Sequence, residues 1–262
     1  MMNIPKIYTN NNIFNNTTLH RHKLSQSYIC LSNYHKLYLR TITNKPVFSM
    51  FHPYNEKNTV KFDYTKWEKN KKYVHNGFWL RNFNVLNYAP KNTFVLSKLD
   101  RQQHTNVYNS HQINNQHLTY LNNISNCDYD KLLSSSVVFL ELVDSSANNA
   151  IMDCISQNTP IVINKHPAAI EYLGADYPLY YSNYTQFVNL ISTNEKIYEG
   201  YQYLKKLNKT KFELQFFQKH FNILNERLDS EFTGISLITS CFKADKYISK
   251  FIENIEQLLG NF

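Results

Sequence analysis

Glycine is scarce, at 5 residues in 262, and that scarcity removes whole classes of chemistry. Neither a Gly-rich P-loop nor a dinucleotide fingerprint is present, because both need several glycines where backbone wraps a phosphate. A Gly-x-Ser-x-Gly nucleophile elbow is missing as well. The 4 cysteines, Cys30, Cys127, Cys154 and Cys241, form no Cys-x-x-Cys pair and do not stand at metal-ligand spacing with a histidine. Scattered single thiols of this kind suit a reducing compartment. The 10 histidines include no His-x-x-x-His pair, so no metal site is predicted. Apolar runs are all too short to cross a bilayer, and the opening residues Met1 to Lys6 lack the apolar stretch of a secretory signal. A cytoplasmic protein without a transmembrane segment is the expectation.

What is present is charge of one sign and an abundance of Asn, Tyr and Lys. The formal net charge is +8, which attracts anions of every kind, from nucleic acid to phosphate-bearing metabolites. The basic residues are dispersed, however, and the densest stretches, 66–72 and 205–211, are broken by aromatic or apolar residues. A Lys-rich solvated surface accounts for such a pattern as well as a ligand does.

Residues 1–26 are polar and without periodicity, and read as a loose leader. Two short apolar stretches follow, 28–31 and 45–51, separated by a helix for which Ser32 supplies an N-cap. His52-Pro53 ends the second, and the polar residues 53–70 read as a linker. From Lys71 the pattern alternates. Strands are predicted at 73–76, 93–97, 118–121, 137–142, 160–164 and 179–181. Helices are predicted at 82–88, 127–133, 147–157, 168–173 and 184–191, and a long helical stretch at 195–229 closes the unit. In that stretch Ile197, Tyr201, Leu204, Leu207 and Phe212 recur at helical spacing and form a core face. The segment 100–116 is too polar to assign.

Strand and helix in alternation predict a parallel, doubly wound α/β sheet. Val137-Val138-Phe139-Leu140 is a continuous apolar run, as a strand buried on both faces requires. Ligands of such sheets bind beyond the carboxyl ends of the strands. Three turns there carry suitable groups. In the first, Gly77 permits close backbone approach and Arg81 can fork onto phosphate oxygens. In the second, Asp144-Ser145-Ser146-Ala147-Asn148-Asn149 leads into a helix whose first N–H groups attract an anion, although Ser and Asn are also ordinary capping residues. In the third, Lys165 or His166 faces the same ligand and Glu171 lies a turn into the next helix, where a carboxylate also serves the helix dipole.

The order of these features resembles the carboxyl-terminal, nucleotide-sugar-binding domain of GT-B glycosyltransferases of the group 1 class. The segment from Val137 to Asn164 carries the resemblance, with Asn158-Thr159-Pro160 in place of Gly-Thr-Pro, and Glu171 and Gly174 matching the later Glu and Gly. Aligned on Thr159-Pro160, the second of the family's two glutamates falls on Asp153, a conservative change. The first falls on Ser145, beside Asp144, and Ser146-Ala147-Asn148-Asn149 replaces the family's Gly-rich turn.

By that resemblance, residues 27–70 are a remnant of the amino-terminal domain with its linker, and 71–229 are the donor-binding domain. Residues 234–248 resemble the opening strand and helix of a GT-A, family-2-like domain, so that 230–262 read as its truncated start and the chain as a piece of a longer enzyme. The resemblance implies transfer of a sugar from a nucleotide diphosphate sugar to the hydroxyl of an unspecified acceptor, without a cofactor or essential cation. Gly77, Arg81, Ser145, Ser146, Ala147, Asn148, Asn149, Lys165 and Glu171 are the candidate donor contacts, with Glu171 on ribose or sugar hydroxyls. Two other readings remain open. One is a catalytically silent nucleotide-sugar-binding or interaction module. The other is a basic nucleic-acid-binding protein, although the chain carries no nucleic-acid-binding module.

Overall fold

The computed structural model describes residues 27–54, 60–78, 80–97, 113 and 116–229. The expected leader 1–26, Trp79, most of the segment 100–116 and the expected domain start at 230–262 lie outside the described residues.

The described chain opens with β1 (Tyr28–Cys30), α1 (Asn33–Ile42) and β2 (Val47–Ser49). Ser32 caps α1 as its position predicts, its hydroxyl accepting from His35 N at 3.2 Å. The two strands pair in parallel, Tyr28 opposite Val47.

The supposed linker 53–70 contains a helix, α2 (Tyr64–Asn70). Its composition is polar, but one side chain anchors it. Trp67 is 1% exposed, and its indole N–H donates to Lys72 O at 3.1 Å. Asp63 caps the helix start through Lys66 N, and Lys71, left-handed at φ 46, ends it with its ammonium 4.0 Å from the Trp67 ring centroid. A single buried aromatic outweighs the charged residues around it, which only need to stay wet.

Six parallel strands then form the main sheet: β3 (Lys72–Asn76), β4 (Thr93–Leu96), β5 (Leu118–Leu121), β6 (Ser136–Leu140), β7 (Ile161–Asn164) and β8 (Tyr180–Tyr181). Their order across the sheet is β5-β4-β3-β6-β7-β8, with every neighbouring pair parallel. The fold is a doubly wound, Rossmann-like α/β unit, as the alternating pattern predicts. All five residues of β6 are buried, and each large apolar side chain removed from water in this way contributes roughly 1.5–3 kcal/mol.

The helices are α3 (Asn126–Leu133), α4 (Asn149–Gln157), α5 (Pro167–Leu173), α6 (Tyr184–Ser192), α7 (Asn194–Lys206) and α8 (Leu214–Asp229). Three departures from the sequence pattern have visible causes. Residues 83–88 form a 3-10 helix, capped by Asn82 on Asn84 N and stopped before Pro90, whose ring disfavours helical backbone at Ala89. Helix α4 begins at Asn149, two residues later than expected, because the Asn148 side chain accepts from Ala150 N and Ile151 N and takes the capping position. The long stretch 195–229 is two helices broken by a 3-10 turn at Thr210–Phe212. The break turns Phe212 into the interior, where it stacks on Tyr172 at 5.5 Å and meets Phe51 edge-on at 5.4 Å. No helix among the described residues is long and apolar enough to cross a membrane.

Helix α7 lies against β8 through a glycine. A methyl group at Gly200 would fall 2.3 Å from Leu179 Cδ1 and 2.8 Å from its Cγ, and Leu179 is fully buried. Ala is the better helix former by ~1 kcal/mol. Overpacking opposes it at roughly 1–3 kcal/mol and wins, because Leu179 has nowhere to go. Gly200→Ala is therefore expected to lower the urea midpoint, while Lys205→Ala on the exposed side of the same helix leaves it within about 0.5 kcal/mol. A stabilised Gly200→Ala variant would mean that α7 is free to move off the sheet.

Candidate functional site

The strand order reverses between β3 and β6. Connections from these two neighbours leave toward opposite sides, so a crevice opens beyond their carboxyl ends. The turn after β3 carries Gly77 and Arg81, and the turn after β6 carries Asp144 to Asn149. The sequence thus places its first two candidate turns on the two strands that flank the reversal.

Backbone pairing locks the two turns together. Arg81 forms an antiparallel bridge with Leu142, flanked by Asn82 N to Glu141 O at 2.8 Å and Val143 N to Leu80 O at 3.0 Å. Residues 141 and 142, expected to extend the strand, belong to this cross-connection. Asn164, at the end of β7, clamps the same point: its Oδ1 accepts from Leu142 N at 2.7 Å and its Nδ2 donates to Leu142 O at 2.9 Å. Gly77 sits at φ +83, and a methyl there would lie 3.8 Å from Arg81 Nη2, so the guanidinium rests over the glycine turn. Leu80, between them, is left-handed at φ 56. A branched side chain rarely adopts that conformation, which costs of order 1–3 kcal/mol, and the bridge on either side of Leu80 holds it there.

The second turn is the start of α4, with part of its hydrogen-bonding capacity already used. Asn148 satisfies Ala150 N and Ile151 N, and Ser145 N donates to Asp144 Oδ1 at 2.8 Å. The N–H groups of Ser146, Ala147, Asn148 and Asn149 donate to none of the described residues. Ser145 is buried, its hydroxyl turned back to Ala147 O at 3.4 Å, while Ser146 Oγ reaches across to Ser32 Oγ at 3.3 Å.

Lys165 is exposed, one strand further from the reversal, with its backbone N–H on Tyr181 O. Its neighbour His166 is fixed. Nδ1 accepts from Ala168 N at 3.2 Å, which puts the proton of the neutral ring on Nε2, 3.5 Å from Asp144 Oδ1. With both nitrogens committed, the ring holds the Asp144 turn against α5.

Glu171 stands apart from the other candidates. Its two carboxylate oxygens accept from Asn33 N and Tyr34 N, each at 2.7 Å, so it caps the start of α1. Next to it, Tyr172 donates its hydroxyl to Leu31 O and accepts from His52 N. Helix α5 is what fastens residues 27–54 to the main sheet.

One group carries more chemistry than its place in the sequence suggests. Asp153, the match to the family's second glutamate, faces α3, where Tyr129 donates to its Oδ2 at 2.6 Å and itself accepts from Asn76 Nδ2 at 2.6 Å. Asn76 immediately precedes Gly77, so this chain of three polar groups ends at the crevice. Burial pushes the Asp153 carboxyl up to about 6, with the Tyr129 hydrogen bond opposing and the Asp130 charge adding to the rise. Burial, and then the Asp153 charge, raise the Tyr129 phenol well above its ordinary range. Asp153 Oδ1 takes no hydrogen bond from the described residues. Asn76 and Tyr129 carry no sequence signal beyond Asn76 ending a strand beside a glycine. No group of three or more His, Cys, Asp or Glu among the described residues could hold a metal ion.

No protein-family model and no curated protein sequence matches the chain. Solved structures do match it. HepE of Anabaena, in complex with UDP and glucose, superposes with a TM-score of 0.61 at 12% identity over 80% of this chain and 67% of that one. Sucrose-phosphate synthase from Thermosynechococcus elongatus gives 0.56 at 11% identity over 78% and 58%. TarM gives 0.57 at 10% identity over 76% and 43%. The fold is that of the GT-B glycosyltransferases. The chain spans only 43% to 67% of these three GT-B proteins, and identities this low establish the fold alone.

The Asp153 carboxyl gives a test of the site in the free protein. Its folded value is raised from 3.8 to about 6, so its stabilising contribution is present in full below the unfolded value and is lost as pH rises through 6. Asp153→Asn keeps an acceptor for Tyr129 and cannot ionise. It is expected to match the parent at pH 4 and to exceed it by roughly 1–3 kcal/mol at pH 8, measured by urea denaturation. An advantage that did not change between the two pH values would show that the carboxyl is not desolvated.

Proposed function

We propose that the chain is the donor-binding part of a glycosyltransferase, holding a nucleotide diphosphate sugar across the carboxyl ends of β3 and β6 for transfer of the sugar to an acceptor hydroxyl. The observation that carries this reading is the meeting of Arg81 and the 144–149 turn on the two strands that flank the reversal, joined through the Arg81–Leu142 bridge. In a GT-B fold that crevice is where a phosphate-bearing ligand has both a cation and unengaged helix-start N–H groups to meet it.

In this reading Arg81 forks onto the diphosphate, and the N–H groups of Ser146 to Asn149 face the charge that grows on it as the glycosidic bond breaks. Lys165 adds a mobile cation from the neighbouring strand. Asp153, with one oxygen unengaged by the described residues and a titration near 6, suits the hydroxyls of the nucleoside, since either of its protonation states has a hydrogen bond to offer. No cofactor is invoked. HepE is named with bound UDP and UDP-glucose, so uridine nucleotides are the first ligands to try.

A catalytically silent donor-binding module is the second reading, and a specific observation favours it. Ser145 brings no carboxylate to the sugar side, and Glu171, expected on sugar hydroxyls, has both oxygens engaged by the start of α1. Donor hydrolysis measured beside donor binding separates the two readings: binding with no turnover by a folded chain leaves the module.

Arg81→Ala removes a charge-assisted, bidentate contact worth roughly 1.5–3 kcal/mol, which is about a tenfold to hundredfold loss in UDP affinity. Arg40→Ala, on the exposed last turn of α1, is the control and leaves affinity unchanged. Calorimetric titration of UDP, GDP and ADP at two ionic strengths is the measurement. Equal losses from both variants, erased by salt, would assign the binding to the +8 net charge and not to a site.

A further inference from the structure

A second cavity, of about 220 Å³, lies on the far side of Ser32 from the donor turn. It is smaller than the roughly 300–1,000 Å³ of a site for a drug-sized ligand, and so has room for a single ring. The start of α1 and the end of β2 supply Ser32, Asn33 and Ser49; α5 supplies Glu171; α8 supplies Phe216 and Phe217.

The lining chemistry is selective. Among the described residues that line the cavity, Glu171 is the only carboxylate, and there is no Lys or Arg. His220 completes the lining, and Lys211, which donates to Glu171 O at 2.8 Å and lies 4.5 Å from the Phe51 ring centroid, stands beside the carboxylate, so the lining carries no excess charge of either sign to select an ionic ligand. Each Glu171 oxygen accepts one backbone N–H, which leaves lone pairs for a further donor such as a hydroxyl. Ser49 Oγ donates to Asn33 Oδ1 at 2.7 Å, which fixes the amide and leaves its N–H₂ as the donor. Against these stand half-buried Phe216 and Phe217, with the His220 ring 4.1 Å from that of Phe216, and an aromatic surface of this kind takes C–H groups. A ligand with hydroxyls on its rim and apolar C–H on its face satisfies both halves of the lining. A neutral sugar ring has that structure.

The place of the cavity is as telling as its lining. Ser32 is the shared wall. Its hydroxyl lies 3.3 Å from Ser146 Oγ, in the turn proposed to hold the donor, and Ser32 also lines the cavity. A ligand seated here is separated from the 144–149 turn by a single serine.

We propose that this cavity binds an uncharged carbohydrate ring, the end of the acceptor, with Phe217 and Phe216 as its platform and Glu171 and Asn33 as its hydroxyl partners. The assignment as acceptor rests on the donor reading above; the binding of a neutral sugar does not. Saturation-transfer NMR on the full chain, with methyl glycosides of glucose, galactose and N-acetylglucosamine as probes and with and without UDP, is the test. At least one glycoside is expected to receive saturation. Phe217→Ala and Asn33→Ala are each expected to weaken it by roughly tenfold while leaving UDP affinity unchanged. Asn33 is exposed at the first position of α1, where Ala is well tolerated, so its variant tests the site even if the loss of Phe217 disturbs α8. No saturation of any glycoside, or saturation that both variants retain in full, overturns the carbohydrate site while leaving the donor reading intact. Sugar binding that depends on Phe217 in a chain that binds no nucleotide upholds the carbohydrate site and overturns its assignment to an acceptor.

Discussion

Parallel strands end with their backbone groups pointing into the space beyond the sheet, and something must satisfy them there. Between β3 and β6 the connections leave on opposite sides, so no helix covers that space. The chain closes it with its own backbone: Leu80 to Asn82 pairs with Glu141 to Val143, and the Asn164 amide takes both backbone groups of Leu142. Every candidate donor group near the reversal depends on this patch. It sets Arg81 over Gly77, it holds Leu80 in a left-handed conformation, and it fixes where the chain leaves β6 to begin the Asp144 to Asn149 turn.

The same economy of polar contacts ties the small β1–α1–β2 layer to the sheet. Glu171 and Tyr172, adjacent on α5, engage the backbone at Leu31, Asn33, Tyr34 and His52, while Phe212 and Phe51 pack on Tyr172 from the other side. A carboxylate at the start of a helix counters the helix dipole, here across 137 residues of sequence. A Glu that matches the family's order of motifs therefore need not make the family's contact.

The strands were the most legible part of the sequence, because a run such as Val137 to Leu140 is buried on both faces and leaves no other reading. Their ends were less legible. Nothing in Glu141-Leu142 announces a turn, since the bridge to Arg81 and the clamp from Asn164 come from elsewhere in the chain. Helix α2 was hidden for the opposite reason: its sequence is polar apart from Tyr64 and Trp67, the two aromatics through which it packs. Gly77, Arg81 and Ser146 to Asn149 could be nominated from the sequence because their chemistry is local to a strand-to-helix turn. The Asn76–Tyr129–Asp153 chain was not, because its three members come from β3, α3 and α4 and meet only once the sheet is assembled.

That chain also shows where stability has been traded away. A carboxyl desolvated enough to titrate near 6 weakens the fold at neutral pH, and an asparagine in its place would keep the hydrogen bond to Tyr129 without that cost. Leu80, held left-handed one residue before Arg81, is a second unfavourable feature beside the same crevice. Ser145, by contrast, is buried and turned inward onto Ala147, a placement that adds packing and offers a ligand nothing. The strain falls just after β3 and the desolvated charge on α4, while Ser145 and Glu171, both expected to touch a donor, are buried and turned inward or hold the start of α1.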